Sequence, residues 1–556
     1  MRFMTSYGRA EFRDYYAKGY WRTETFPETL RANVKAAPDK VAVVQGGRRL
    51  SWAQLFTQVR RAAAGLDSLG VGPGSVVSLQ LPNSIELVVA VLAVWELGAV
   101  YNPLNPGYRR HEVAAIAGAA KPAALICPRE IAGFDYPTMI EEALGEVLSE
   151  AVGGTALIAV GAAPRSGWSS FEELLTLGER RLAEGWQGPL AWDADAVFLI
   201  GATSGTTGAP KLYMHSCNSQ LQEARMLNRE LGFSGDDVFL AVAPLTHRGA
   251  MMYGLLTALA AGATLVLADA FVPAEVLELF EGEGVTAFMA IPTLALDLLA
   301  EFERRPRDVH RLHRAMLSGA PLTDDLIERF TRTWPDCVPV SGYGLSETGY
   351  CTFLRPGDPL DKLRTSGRLA PGIELRIRTE DGEAAAVGEV GEILLRGWMV
   401  CAGYFDNQQV TAQTIDDQGW FATGDLGVLD ADGYLQPVGR LKHMIIRGGL
   451  NIFAEELEHL LLQHPAIVGA VVIGVPDARL GERACACLVL RPGESFAIAD
   501  TRQFFHELGL AKYKWPEFIV PFDSFPLNPV GKLDRRSIAE TALALLASLR
   551  KAGLPE

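Results

Sequence analysis

The sequence predicts an α/β protein with a large N-terminal body of parallel α/β layers, a small β-barrel-like part, and a small α+β C-terminal domain. Three observations carry that prediction. Apolar runs of strand length alternate with helical periodicity as far as about residue 365, the pattern of largely parallel, doubly covered sheets. Beyond that point the pattern changes to short strands punctuated by Gly and Asp turns. From about residue 443 a third pattern begins, helix, strand, strand, helix, over about 110 residues.

In the body, residues 50–71 (LSWAQLFTQVRRAAAGLDSLGV) have helical periodicity and break at glycine. Residues 75–81 (SVVSLQL) follow as a strand, and 84–100 (SIELVVAVLAVWELGAV) as an apolar helix. The runs ATLVLAD and VTAFMAI, and the segment before SGAPL, repeat this rhythm. Residues 251–268 contain no charge, which demands a membrane check. A membrane-crossing helix wants about 20 apolar residues, and Ala261-Gly262-Ala263 interrupts this run, so it reads as helix, tight turn and buried strand. IELRIRT, GEVGEILLRG and residues 419–440 are the short strands. In the last part AEELEHLLLQHP and DTRQFFHELG are helices, IVGAVVIGV and ERACACLVL strands, and Gly439-Arg440-Leu441-Lys442 is the joint.

The chain has 556 residues, 49% hydrophobic and 21% charged, an ordinary globular balance that excludes whole-chain disorder, collagen and coiled coil. The net charge of −15 opposes a nucleic-acid partner or a polybasic membrane anchor, so a phosphate ligand needs a local site. Seven dispersed cysteines read as reduced thiols of a cytoplasmic protein. Cys485 and Cys487 alternate on a strand without a second ligand pair. His310 and His313 can share a helix face, but HxxH alone is usually solvated surface. The polar, aromatic N-terminus lacks the apolar stretch of a signal peptide.

The strongest local signal is Thr203-Ser204-Gly205-Thr206-Thr207-Gly208-Ala209-Pro210-Lys211, directly after the apolar run AVFLIG. Glycines allow close backbone approach, while hydroxyls and N–H groups can surround phosphate oxygens and Lys211 adds charge. It is not a Walker A loop, because Pro210 precedes the lysine and Leu212 follows it. Alone, the loop indicates only phosphate.

Further motifs follow in order: Ser318-Gly319-Ala320-Pro321-Leu322, Tyr343-Gly344-Leu345-Ser346-Glu347-Thr348, Thr423-Gly424-Asp425, Gly439-Arg440-Leu441-Lys442 and Pro529-Val530-Gly531-Lys532. Together they resemble the adenylate-forming superfamily of acyl-CoA synthetases, peptide-synthetase adenylation domains and luciferases, from about residue 30 to about 540. The resemblance implies an AMP-binding domain over residues 1–441 and a mobile domain over 442–556 that carries the catalytic lysine. It also implies the substrates ATP and CoA, with Mg²⁺ as cofactor. A carboxylate is a poor acylating agent until attack on the α-phosphate of ATP gives it AMP as a leaving group. Catalysis is then positioning and charge neutralisation.

Within that resemblance, Thr203, Ser204, Gly205, Thr206, Thr207, Gly208 and Lys211 hold the departing phosphates. Glu347 and Thr203 hold Mg²⁺. Gly319, Ala320, Pro321, Tyr343, Gly344 and Ser346 surround the nucleotide, Asp425 takes the ribose hydroxyls, and Arg440 supports it. Lys532 is the mobile lysine, catalytic together with Glu347 and His247. Lys442 is the hinge, and Gly448, Gly449 and Leu450 line the CoA passage. Leu212, Ser346 and Asn528 depart from the usual residues without removing a charge.

YYAKGYW, GLAKYKWPE and GGLNIFAEELEHLLLQHPAI resemble most a subgroup of cyclohexanecarboxylate and medium-chain acyl-CoA ligases and 2,3-dihydroxybenzoate adenylating enzymes. The acyl pocket is expected from His247, Arg248, Met251, Met252 and Gly342. Arg248 stands where the hydroxybenzoate enzymes place an asparagine for the 2-hydroxyl, which disfavours that acid. The pliable methionines suit a bulky medium-chain or alicyclic acid, cyclohexanecarboxylate-like or steroid-ring-derived, although they could equally be core packing. Only 24 residues follow Lys532, so free CoA is the expected acceptor, with a separate carrier protein as the alternative. A homodimer is left open.

Overall fold

The computed structural model describes residues 9–150, 155–163, 165–189, 191–203, 210–319, 322–447, 450–477, 479–508, 510–528 and 532–552. The chain divides into two compact units: Met1–Leu375 with Leu395–Phe421, and Arg376–Leu394 with Ala422–Glu556. This division follows compactness. The expected hinge at Lys442 concerns motion and remains a proposal.

Unit one is built on two seven-stranded sheets. The first runs in the order Val338–Val340, Arg314–Leu317, Ala287–Ala290, Val238–Ala241, Thr264–Leu267, Val41–Gln45, Arg48–Ser51. It is parallel apart from the antiparallel edge pair Val41–Gln45 and Arg48–Ser51. The second runs Lys211–Ser216, Val197–Thr203, Val100–Pro103, Val76–Leu79, Ala124–Pro128, Ala156–Val160, Trp168–Ser170. Two early helices begin where the sequence supplies a serine cap. Ser51 and Ser84 accept from the N–H groups of Gln54 and Leu87, starting helices Trp52–Ser68 and Ile85–Glu96. Helix Ile85–Glu96 is almost wholly buried, which explains its all-round apolar sequence.

The uncharged run folds as expected. Its helical turns end at Ala261, Gly262 takes a left-handed conformation (φ 67°), and Thr264–Leu267 enters the sheet. Among the described residues no helix is long and apolar enough to cross a membrane. His310 and His313 do not share a helix face: they lie in the loop after helix Pro292–Arg304, His310 against Asp308 and His313 against Asp237.

The β-rich stretch forms two small sheets. Gly342–Leu345, Gly349–Phe353 and Arg368–Leu369 make one, in unit one. Ile373–Arg378, Gly391–Gly397, Phe421–Leu429 and Leu435–Arg440 make the other. The rest of unit two is an α+β fold. Its long hairpin Ile467–Asp477 and Gly481–Leu490 pairs in parallel with Phe518–Phe522, and helices Ala454–Leu461, Ile498–Glu507 and Arg535–Ala552 accompany it. Strand periodicity explains the two neighbouring cysteines. Cys485 and Cys487 pack with Ile538, Ala542 and Leu546, while the alternating Ala484, Ala486 and Leu488 pack with Leu457, Leu461 and Phe505. All seven cysteines are buried and unpaired.

Candidate active site

The phosphate-binding candidate sits at the tip of a β-hairpin. Val197–Thr203 pairs antiparallel with Lys211–Ser216, and the last pair in register is Thr203 with Lys211. The hairpin therefore pins the two ends of the loop opposite each other. Ser204, Gly205, Thr206, Thr207, Gly208 and Ala209 lie outside the described residues.

A second hairpin brings Glu347 to Thr203. Strands Gly342–Leu345 and Gly349–Phe353 are joined by a tight turn holding Ser346, Glu347 and Thr348. Gly344 permits the closeness, since a Cβ there would lie 1.7 Å from the carbonyl oxygen of Gly349. The Thr203 hydroxyl donates to Glu347 Oε1 at 3.0 Å, and the Tyr404 hydroxyl donates to the same oxygen at 3.2 Å. Burial pushes the Glu347 carboxyl above its ordinary range, while these two hydrogen bonds and the charge of Lys211 pull the other way. Burial and the neighbouring Glu347 raise Tyr404 far above an ordinary phenol, so it remains an O–H donor. Lys211 Nζ lies over the Tyr404 ring, 5.6 Å from its centroid. Sequence reasoning missed Tyr404; a tyrosine in CAGYFDN carries no local signal of such a role.

The same turn is braced from beneath by helix Cys217–Leu231. His215, just before it, is fully buried, and its Nε2–H donates to the carbonyl of Ser346 at 2.7 Å. Burial and the nearby Arg248 push its pKa down to about 3, so the ring is neutral. Glu223, in the middle of the helix, accepts the backbone N–H of Tyr350 at 2.9 Å. It also forms an ion pair with Arg248, whose Nη1 lies 3.3 Å from Glu223 Oε1 and whose Nη2 holds Oε2. Both side chains are almost completely buried. Burial opposes the charge on Arg248, but Glu223 more than offsets it and keeps the guanidinium ionised. Gly349 is required here: its φ is +74°, and a Cβ would lie 2.7 Å from the Glu223 carboxylate.

The Arg248 guanidinium is committed to Glu223, a partner that sequence reasoning did not find. Glu223 stands in a polar mid-helix stretch, CNSQLQEAR, that carries no local signal of this pairing. Met251 and Met252 are buried in the helical turns after His247. A Cβ on Gly249 would lie 3.2 Å from the Tyr350 hydroxyl, 3.3 Å from Met289 Cε and 3.6 Å from His247 Cε1, so these four residues converge. Gly342 faces its own hairpin partner, with a Cβ placed 3.1 Å from the carbonyl oxygen of Thr352. Tyr343 is buried in the same strand, and Gly319 is exposed with φ +95°. Ala320 and Pro321 lie outside the described residues.

In unit two, Asp425 and Arg440 stand opposite each other on paired strands, joined by a 2.8 Å ion pair from Arg440 Nε to Asp425 Oδ1. Lys442 is an exposed residue in the short turn Leu441–His443. Leu450 begins strand Leu450–Phe453 and is exposed, while Gly448 and Gly449 lie outside the described residues. Lys532 is exposed on a loop closed by Asn528. The Asn528 side-chain oxygen accepts the Lys532 N–H at 3.0 Å, and the Asn528 N–H donates to the Lys532 carbonyl at 2.7 Å.

The chain belongs to the AMP-binding enzyme family, whose model matches residues 30–405; the AMP-binding enzyme C-terminal domain matches residues 456–532. It is 33% identical to the salicyl-AMP ligase / salicyl-S-ArCP synthetase of Mycobacterium tuberculosis, over 94% of this chain and 92% of that one. It is also 33% identical to the 3-[(3aS,4S,7aS)-7a-methyl-1,5-dioxo-octahydro-1H-inden-4-yl]propanoyl:CoA ligase of Rhodococcus jostii, over 93% and 98%. ATP-bound MatB from Rhodopseudomonas palustris superposes with a TM-score of 0.82 at 26% identity, covering 94% of this chain and 100% of that one. By class the protein is an AMP-forming acid–thiol ligase that uses ATP.

Proposed function

We propose that this ligase activates a medium-chain or alicyclic carboxylic acid as its acyl-AMP and transfers the acyl group to free CoA in the cytoplasm. The observation that carries the proposal is the cluster of Thr203, Glu347 and Lys211 at the mouth of a Gly/Ser/Thr hairpin loop. The acid's oxygen attacks the α-phosphate and pyrophosphate leaves; the CoA thiol then attacks the acyl carbonyl and AMP leaves. Lys211 and the loop neutralise the departing phosphates, Asp425 with Arg440 receives the ribose, and Lys532 steadies the reacting carboxylate and phosphate. His247, Gly249, Met289 and Tyr350 line the acyl end. The Rhodococcus relative, whose acid is alicyclic, supports that substrate class. The seven unpaired cysteines support a reducing compartment.

Glu347 and Thr203 are hard oxygen donors 3.0 Å apart, which fits Mg²⁺. Among the described residues no group of three or more His, Cys, Asp or Glu could hold a metal. That suits an ion bound through one carboxylate and completed by phosphate oxygens and water. Bound there, Mg²⁺ would supply positive charge to the phosphates.

The acceptor is tested by measuring AMP release with an active acid. Free CoA should convert slow release into rapid multiple turnover. If CoA changes nothing while a phosphopantetheinylated carrier protein does, the enzyme instead loads a carrier, as the name of the mycobacterial relative states for that protein.

The hinge is tested at Lys442. Proline there would fix φ near about −65°, remove an N–H and restrict Leu441. Pyrophosphate exchange should survive within about tenfold, while thioester formation from supplied acyl-adenylate falls about a hundredfold, which about 2.7 kcal/mol of conformational bias produces. Circular dichroism must show a folded variant. Normal thioester formation by that variant would exclude a hinge at this residue.

A further inference from the structure

We infer that Tyr404 is a positioning residue that couples the phosphate lysine to the metal-binding carboxylate: its hydroxyl orients Glu347 while its ring seats Lys211. The inference rests on the roles proposed above for those two residues. The backbone around Tyr404 bridges the same two elements. The N–H of Cys401 donates to the carbonyl of Glu347 at 2.6 Å. Further along, the N–H groups of Met214 and Phe405 donate to the carbonyls of Gly403 (3.0 Å) and Leu212 (2.7 Å), and Tyr404 bridges Tyr213 across the edge of the sheet. Residues 401–405 thus stitch the Lys211 strand to the Glu347 turn.

The side chain then does two separate things. Two hydroxyls, Thr203 and Tyr404, converge on one oxygen of Glu347 and fix the rotation of its carboxylate. Thr203 can donate its proton to Glu347 while offering a lone pair to a cation. Tyr404 is 5% exposed, so it serves as an anchor that no solvent competes for. Its ring, 5.6 Å from Lys211 Nζ, attracts the ammonium through the π face and limits where that charge can sit.

The two functions separate by substitution. Tyr404→Phe keeps the ring and removes the hydroxyl; Tyr404→Leu removes both. In the full-length enzyme, ATP binding is measured by calorimetry with Mg²⁺ and with EDTA, and pyrophosphate exchange is followed as a function of Mg²⁺. For Tyr404→Phe the half-saturating Mg²⁺ concentration should rise about tenfold or more, the worth of one hydrogen bond to a charged group. Its ATP affinity in EDTA and its KM for the acid should match wild type. Tyr404→Leu should also weaken ATP binding in EDTA. A folded Tyr404→Phe with the wild-type Mg²⁺ dependence would overturn the inference while leaving the Glu347 reading intact. Wild-type ATP binding that is indifferent to Mg²⁺ would overturn both.

Discussion

Lys532→Ala is expected to slow acyl-adenylate formation about a thousandfold. One positive charge about 4 Å from the reacting phosphate, at an effective dielectric of about 20, is worth roughly 4 kcal/mol, and that energy sets the factor. The effect should be confined to one half-reaction. Pyrophosphate exchange reads the loss, while thioester formation from supplied acyl-adenylate and CoA should stay near normal. Equal damage to both would assign Lys532 a different role. The loop carrying Lys532 should keep its shape in the variant, because Asn528 closes it through backbone groups that alanine retains.

Glu223→Gln is expected to destabilise unit one by about 3–5 kcal/mol. It leaves the Arg248 guanidinium buried beside a neutral amide, and an uncompensated buried charge costs about that much. The readout is the urea midpoint of the transition reporting on unit one. The double variant Glu223→Leu with Arg248→Met removes both charges and should recover most of the loss, since apolar replacement of a buried pair is often neutral. A Glu223→Gln protein as stable as wild type would show that the pair contributes little to this fold. Adenylation should fall as well, because Glu223 also holds the Tyr350 N–H behind the Glu347 turn.

Local chemistry and periodicity were readable in the sequence, whereas partners supplied by tertiary packing were not. Helices and strands followed largely from periodicity: the apolar residues that surround the axis identify a helix within 84–100, which ends at Glu96 because Gly98 breaks it and Val100 opens a strand, and Gly262 announces the turn into a buried strand. Thr203 and Glu347 were legible because they sit in motifs with local chemistry, and the structure brings their side chains together across 144 positions. Glu223 was not legible. It occurs mid-helix without a motif, and its meaning comes from Arg248 and Tyr350, which reach it only through packing of the helix beneath the hairpin. Arg248 shows the same rule: it was read as a pocket residue because it stands where the hydroxybenzoate enzymes place an asparagine, and its pairing with Glu223 comes only from packing. Tyr404 follows the same rule, since its partners come from two separate strand pairs. The boundary expected near Lys442 was read from a motif, while compactness groups the strands of 376–394 and 422–440 with the C-terminal unit. Cross-strand pairing of distant segments is a tertiary property that no short stretch of sequence records.

The two-step chemistry is tested most directly by following an oxygen atom. An acid that supports pyrophosphate exchange, labelled in its carboxylate with the heavy oxygen isotope, is turned over with ATP and CoA. Mass spectrometry then reads the AMP. If the carboxylate oxygen attacks the α-phosphate and thiolysis cleaves the acyl–oxygen bond, each AMP carries one labelled oxygen and the pyrophosphate carries none. Unlabelled AMP, or label appearing in inorganic phosphate beside ADP, would contradict an acyl-adenylate route.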